Sequence, residues 1–249
     1  MKKIKNNRSD DHVFPDAWYP DSTPANVQRW TVPACRKCNA KLQVIEDELF
    51  IRWGICVEPN LEACRGIEAK ALNRQFFLGV KDPRRFGRKL STFNNVRSNM
   101  GQYDPKRTHK GFAPKEGVRG TLAVLTPNKT RRIFSEKLVR GTEYKLLGRF
   151  IPWTKRINIW YEMAEDTDKD YAFWRDIASR AKTVSLGPGF AVKCAINPNY
   201  PEQSFYQFEI WGHIKFFAFV HTKSFKRELL LFWSFIKWHI INLYKRFRF

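Results

Sequence analysis

The sequence predicts an α+β fold, with a strand and a helix near the N-terminus followed by a mixed helix and strand module. Three patterns lead to this prediction. A short β-type run at Trp30-Thr31-Val32 passes through a Cys-x-x-Cys turn into a helical pattern that reaches residue 53. A second helical pattern covers residues 61–80, with Ile67, Ala71, Leu72 and Phe76 expected to pack inward. Residues 204–220 alternate apolar and polar side chains, as one strand or a hairpin does.

The N-terminal unit carries the residues with the most chemical meaning. Asp11-His12 stand in the run DDHVFP, and Cys35-Arg36-Lys37-Cys38-Asn39 follow after a stretch suited to a loop. Beyond Cys38, apolar residues recur at helical intervals, so Asn39 is expected on the first turn of a helix; these residues are Leu42, Ile45, Leu49 and Trp53.

These residue types suit hydrolysis of a phosphodiester. Magnesium prefers hard oxygen ligands and keeps several waters, so one carboxylate and one amide oxygen suffice when a substrate phosphate completes its shell. The ion stabilises the charge that develops on the phosphate and its leaving oxygen. A neutral imidazole titrates near the working pH, so His12 is suited to take a proton from the attacking water.

In this order, Asp-His, Cys-x-x-Cys-Asn and an amphipathic helix resemble the HNH, or ββα-metal, endonucleases, and residues 10–53 carry the likeness. The resemblance implies that a histidine ends the first strand, that the second strand leads to the cysteine turn, and that the helix carries the last ligand. As in the HNH domain of the CRISPR effector nucleases, Asp11 and Asn39 would bind magnesium and His12 would act as general base. In related bacterial HNH proteins a similar C-terminal portion follows.

The sequence departs from the HNH pattern in two places. Zinc-stabilised members carry a second Cys-x-x-Cys before the histidine strand, whereas residues 1–9 contain no cysteine, so Cys35 and Cys38 form only part of a Zn²⁺ knuckle. Loss of the zinc is the first interpretation; a start inside a longer protein, or ligands from Cys56 and Cys64, are the others. Trp30 stands where many members have the residue that orients the base, and Asn26 is the candidate replacement.

Charge predicts a polyanionic partner, most simply DNA. Lys and Arg number 45 against 24 Asp and Glu, for a formal charge of +21. Residues 81–132 hold fourteen basic and three acidic residues, interleaved with aromatic residues that suit stacking on bases. The alternative is a solvated basic face whose aromatic rings pack inward. The candidate phosphate-binding residues are Arg84, Arg85, Arg88, Lys89, Arg97, Lys106, Arg107 and Lys110.

Three regions are expected along the chain: an HNH-like ββα unit at 1–60, a basic helix and loop region at 61–130, and an α+β module at 131–249. Loops and short elements are predicted for 82–128, β-type segments for 133–161, a helix for 166–183 capped by Thr167, and a turn at 187–189. The apolar run Leu229 to Tyr244, flanked by basic pairs, is expected to dock as a helix on the body, with a membrane-surface helix as an alternative.

Five cysteines, an odd number, and a polar start without a secretory leader favour a reducing compartment, and the cytoplasm is the default expectation. The main hypothesis is a metal-dependent HNH-type endonuclease that hydrolyses DNA. Its rivals are a catalytically inactive nucleic-acid-binding protein on the same scaffold and a peripheral membrane protein.

Overall fold

The computed structural model describes residues 8–76, 83–102, 104–108, 112, 122–152, 155–163 and 169–222. The fold is α+β, as predicted. Its helices are α1 (Arg36–Gly54), α2 (Ile67–Phe76), α3 (Pro83–Ser98), α4 (Asn128–Leu147) and α5 (Lys169–Arg180). Its strands are β1 (Arg8–His12), β2 (Thr31–Cys35), β3 (Met100–Gln102), β4 (Leu122–Val124), β5 (Lys155–Tyr161), β6 (Lys182–Ser185), β7 (Phe190–Asn197), β8 (Tyr200–Ile210) and β9 (Ile214–Thr222).

The N-terminal residues form a ββα arrangement. Strands β1 and β2 pair antiparallel, with Asp11 opposite Val32 and His12 opposite Thr31. The pairing continues one step further, because Val13 N–H donates to the Trp30 carbonyl at 2.8 Å. Helix α1 then starts directly after β2, since the Cys35 sulfur caps it by accepting from the Cys38 amide at 3.0 Å. His12 therefore ends one strand, and Asn39 lies on the first turn of the helix.

The C-terminal half is built on a five-stranded antiparallel sheet in the order β5-β9-β8-β7-β6. Residues 204–220 form the β8–β9 hairpin, and the expected alternation is confirmed: Tyr206, Phe208 and Ile210 are fully buried, whereas Gln207 and Glu209 are partly exposed. The opposite face of the sheet holds a smaller apolar cluster that includes Phe205, Phe217 and Ala178 of α5. The turn at 187–189 joins β6 to β7, as predicted.

One main core joins both halves, and Trp18 lies at its centre. The Trp18 ring stacks on Phe134 of α4 at 4.6 Å and lies 5.0 Å from Trp211, which follows β8. The Trp211 indole also donates to the Trp18 carbonyl at 2.8 Å. Trp211 adopts a left-handed backbone (φ 55°), an uncommon conformation for a bulky residue that these contacts hold in place. The ββα unit is therefore packed directly on the C-terminal sheet and on α4.

Two predictions for the middle of the chain were wrong. Residues 83–98 form helix α3 rather than loops, because Pro83 occupies the first position of the helix, where a missing N–H costs nothing. Of the β-type segments predicted for 133–161, residues 155–161 do form strand β5, but residues 128–147 form helix α4. Its buried positions Phe134, Leu138 and Thr142 recur every four residues, a helical period that the β-branched residues nearby obscured.

The other helix predictions are partly confirmed. Helix α2 starts only at Ile67, because Gly66 before it has φ +76°, outside the helical range. Ile67 and Ala71 are buried as predicted, but Leu72 is 38% exposed, so its inward placement was wrong. Helix α5 falls within the predicted 166–183, while the proposed cap Thr167, residues 77–82 and the run 229–244 lie outside the described residues. No described helix has both the length and the apolar character needed to cross a membrane.

Candidate active site

A cleft of about 420 Å³ lies where the end of β1 meets the first half of α1. Asp11 and His12 from β1 and Asn39 from α1 all line it, so three residues predicted to act together share one cleft. The remaining lining residues are Ser9, Asp10, Pro15, Asp16, Ala17, Trp18, Arg36, Ala40, Gln43, Glu46 and Asp47.

Asn39 is fixed against β1 by its own side chain. Its amide nitrogen donates to the Ser9 hydroxyl at 3.3 Å and to the Asp10 carbonyl at 3.4 Å. Ser9 in turn donates to the Ala34 carbonyl of β2 at 3.5 Å. With the nitrogen committed to these acceptors, the amide oxygen is directed away from them and is the atom left to act as a metal ligand.

Asp11 has a partner that the sequence did not reveal. It is only 6% exposed, and its Oδ1 accepts a hydrogen bond from the Lys137 ammonium of α4 at 2.9 Å. The same ammonium pairs with the Glu46 carboxylate of α1, which is also buried. Burial raises the pKa of the Glu46 carboxyl, and the Lys137 charge opposes part of that rise. Asp11, Lys137 and Glu46 thus form one buried ion-pair triad beside the cleft.

The cleft is acidic although the protein as a whole is strongly basic. Arg36 is the basic residue in its lining, against five carboxylates from Asp10, Asp11, Asp16, Glu46 and Asp47. One of the five, Asp16, is paired with Arg29 at the surface. Such a surface repels a bare phosphate and attracts a divalent cation, which could then bridge to the phosphate.

The donor set fits magnesium in type. A carboxylate oxygen from Asp11 and an amide oxygen from Asn39 are the hard ligands that this ion prefers. Among the described residues, no three His, Cys, Asp or Glu side chains are grouped as a metal cage. Magnesium needs no such cage, because water and substrate phosphate supply the rest of its shell.

The cysteines do not assemble a four-thiolate zinc site within the described part of the chain. Cys35 and Cys38 lie together at the start of α1, where a hydrogen bond from Cys38 lowers the pKa of the Cys35 thiol. Cys56 lies beyond the far end of α1, about 28 Å away for a 19-residue helix, and it donates to the Arg52 carbonyl. Cys64 is buried and donates to the Trp211 carbonyl. Burial raises the pKa of both Cys56 and Cys64 to about 11. Neither thiol joins Cys35 and Cys38 in a group of metal-binding side chains among the described residues, so the structure does not support Cys56 and Cys64 as extra ligands.

The orienting role proposed for Asn26 gains no geometric support. Asn26 lies in an exposed turn and is not among the residues that line the cleft. Trp30 is buried, and its carbonyl closes the β1–β2 pair through Val13. The place that sequence alignment with the HNH pattern gives to an orienting side chain is therefore used here for strand pairing and core packing.

Part of the predicted phosphate-binding set lies on α3. Arg84, Arg85, Arg88 and Lys89 belong to this helix, Arg97 is exposed near its end, Lys106 and Arg107 are exposed beyond it, and Lys110 lies outside the described residues. Asn95 of α3 accepts from Arg52 at the far end of α1. Since Asn39 and Arg52 are 13 positions apart on one helix, the contact lies about 20 Å along the helix axis from Asn39, and about 8 Å from Asp47 at the near edge of the cleft.

Comparison with protein-family models, with curated proteins and with solved structures returned no match to this chain.

Proposed function

We propose that the protein is a metal-dependent endonuclease of HNH type that hydrolyses DNA phosphodiester bonds. The observation that supports this most is the shared cleft: a strand-ending Asp11-His12 pair and an Asn39 on the first helical turn line it from two sides. The acidic residues that line the cleft would attract a cation, and the net positive charge of the chain would attract a polyanionic substrate.

Each group of residues has a separate role in the proposed hydrolysis. Asp11 and Asn39 supply oxygen ligands, and a bound magnesium ion would stabilise the charge that develops on the scissile phosphate. His12, at the mouth of the same cleft, accepts the proton of the attacking water as general base. The basic residues of α3 and of 97–107 hold the DNA through its phosphates.

Plasmid nicking by the purified full chain with magnesium tests this function. His12→Ala is expected to lower kcat by about 10²- to 10⁴-fold, the usual contribution of a general base. His213→Ala is the matched control, because His213 lies outside the cleft, accepts from the Glu58 amide at 3.1 Å and stacks on Phe112. Equal nicking by wild type and His12→Ala would remove His12 from the mechanism.

One observation favours a second candidate, a nucleic-acid-binding protein that has lost catalysis. The Lys137 ammonium already neutralises the Asp11 carboxylate, the ligand on which the cation would depend. This candidate predicts DNA binding that weakens steeply with salt and no cleavage with magnesium, manganese or calcium. A gel-shift titration between about 50 and 200 mM salt, run beside the nicking assay, separates the two.

A further inference from the structure

We propose that Lys137 is a positioning residue of the cleft: its ammonium fixes the Asp11 carboxylate for the cation, and Glu46 in turn fixes the ammonium. This inference rests on the proposed function, because it assigns a role within the same cation site. It brings into that site a residue from the C-terminal half, 126 positions along the chain from Asp11.

The contact geometry is selective. Lys137 donates to Oδ1 of Asp11 at 2.9 Å, and to Oε1 of Glu46, and none of the three residues is more than 8% exposed. A buried carboxylate held through one oxygen cannot change rotamer freely, so its second oxygen keeps a fixed direction. The proposal assigns that second oxygen, Oδ2, to the cation.

Helix α4 delivers the lysine through contacts on either side of it. Phe134 stacks on Trp18, and Gly141 lies so close to Val13 that an added Cβ would be 2.7 Å from the Val13 side chain. Lys137 lies between them, three residues from one and four from the other, and therefore on the same face of the helix. Val13 directly follows His12, so the docking of α4 also fixes the end of β1.

The charges of the triad do not balance, and this distinguishes it from a structural ion pair. Two carboxylates share one ammonium, in a cleft that is also lined by Asp10, by Asp47, by the Asp16 that pairs with Arg29, and by the cation of Arg36. A divalent cation bound to Asp11 would be attracted by the surplus negative charge and repelled by the nearby ammonium. Removing the ammonium should therefore tighten metal binding while it releases Asp11 from its fixed position, a pair of effects that loss of packing alone does not produce.

The test compares Lys137→Met with Lys145→Met, an exposed lysine on the same helix. Manganese binding to the full chain is measured by the electron paramagnetic resonance signal of free Mn²⁺, and kcat for plasmid nicking is measured at saturating metal. Lys137→Met is expected to bind Mn²⁺ about tenfold more tightly and to nick about tenfold more slowly, from the lost repulsion and the lost positioning. Lys145→Met should match wild type, and Lys137→Arg, which keeps a cation, should recover part of kcat.

Glu46→Gln provides a second variant of nearly unchanged shape. With Glu46 neutral, the ammonium has Asp11 as its one charged partner in the triad and competes more strongly with the metal, so Mn²⁺ binding should weaken about fivefold or more. Circular dichroism of each variant establishes that it is folded, and if Lys137→Met does not fold, Glu46→Gln decides.

The possible results separate the two proposals. Unchanged Mn²⁺ affinity in both folded variants, with wild type still nicking DNA, overturns the role of Lys137 and leaves the nuclease intact. If Lys137→Met binds Mn²⁺ more tightly and Glu46→Gln binds it more weakly, but wild type does not cleave DNA, the nuclease proposal is overturned and the proposed contact of Lys137 with Asp11 at the cation site stands. A wild-type protein that neither binds Mn²⁺ nor cleaves DNA overturns both.

Discussion

Two buried cations lie along α1, and their surroundings differ. Arg52, near the end of the helix, is 1% exposed and donates to Glu48, to the Leu125 carbonyl and to the Asn95 side chain. Lys137, contributed by α4 to the first half of α1, instead pairs with two carboxylates, Asp11 and Glu46. One cation is matched by a single carboxylate and neutral acceptors, and the other is outnumbered by negative charge.

This difference indicates that Arg52 has a structural role, whereas Lys137 belongs to the candidate site. The planar guanidinium of Arg52 spreads its donors over α1, α3 and the residue after β4, which ties three segments together. Lys137 concentrates its charge on two carboxylates that line the cleft. Changes at Arg52 should therefore alter the free energy of unfolding, and changes at the Lys137 triad should alter metal binding and catalysis.

Among variants outside the Lys137 triad, Arg52→Met is expected to give the largest loss of stability, about 2–3 kcal/mol, because it removes three hydrogen bonds from a guanidinium that is itself 1% exposed. Urea unfolding measures the loss. Arg132→Met is the control: Arg132 is 70% exposed and pairs with Glu136 one turn away, so its loss should be under about 0.5 kcal/mol. Mn²⁺ affinity of folded Arg52→Met should equal that of wild type, and a change there would mean that the two cations are not independent.

The second strand and helix of the ββα arrangement and the β8–β9 hairpin could be predicted because local patterns determine them, whereas the first strand was an expectation from the resemblance to HNH endonucleases. Strand alternation is visible over residues 204–220, and the apolar spacing after Cys38 is helical. Helix α4 was missed since Ile133, Val139 and Gly141 weaken its helical signal, although Phe134, Leu138 and Thr142 keep the period. For α3, prolines and glycines were given too much weight as loop signals.

Within the candidate site, Asp11, His12 and Asn39 were predicted because their side chains suit metal-dependent hydrolysis and because their order along the chain resembles that of the HNH endonucleases. The Lys137 contact spans 126 positions, and no local pattern encodes a contact at that separation. One signal was present: Lys137 is a charged residue between Phe134 and Gly141 on the face of α4 that packs inward. A charge at such a position requires a buried partner of opposite sign.

A second contact holds α4 to the sheet on the side of the helix away from Lys137, and alkaline pH should weaken it. Tyr161 of β5 hydrogen-bonds Ser135 of α4 at 2.8 Å, and burial raises the pKa of Tyr161 to about 12. The unfolded chain loses this proton near pH 10 and the folded chain near pH 12, so the free energy of unfolding should fall as pH rises through that window.

The contribution of Tyr161 to this fall is about 2 kcal/mol by pH 12, and Tyr161→Phe should remove it while other tyrosines, including Tyr19, still titrate. Urea unfolding between pH 9 and 12, in steps of about half a unit, measures the difference. Superimposable pH curves for wild type and variant would contradict the assignment. Mn²⁺ affinity at neutral pH should not change, because Ser135 and Lys137 lie on opposite sides of α4.

Gly141→Ala should disturb the cleft through packing rather than charge. The new Cβ would lie 2.7 Å from one Val13 methyl and 2.8 Å from the other, and overpacking usually costs about 1–3 kcal/mol. The better helix propensity of alanine offsets up to about 1 kcal/mol of this. A net loss of about 1 kcal/mol is expected, with slower nicking because Val13 adjoins His12.

Gly87→Ala is the matched control, since nothing lies within 4 Å of an added Cβ there and α3 should gain up to about 1 kcal/mol from alanine. If Gly141→Ala and Gly87→Ala raised the free energy of unfolding equally, the close packing of α4 against Val13 would be contradicted.

The variant with the smallest expected effect on stability, Glu48→Gln, tests most directly whether Arg52 and Lys137 have different roles. Glu48→Gln removes the charge beside Arg52 but keeps an acceptor oxygen, and Glu48 is 28% exposed, so the loss of stability should be about 0.5–1 kcal/mol. Because Glu48 is not among the residues that line the cleft, the Glu48→Gln variant should bind Mn²⁺ as tightly as wild type. Glu46 lies two positions earlier on the same helix and does line the cleft, and the Glu46→Gln variant should bind Mn²⁺ more weakly. If both glutamine variants weakened Mn²⁺ binding alike, the general acidity of α1 would control the metal, and the distinction between Arg52 and Lys137 would fail.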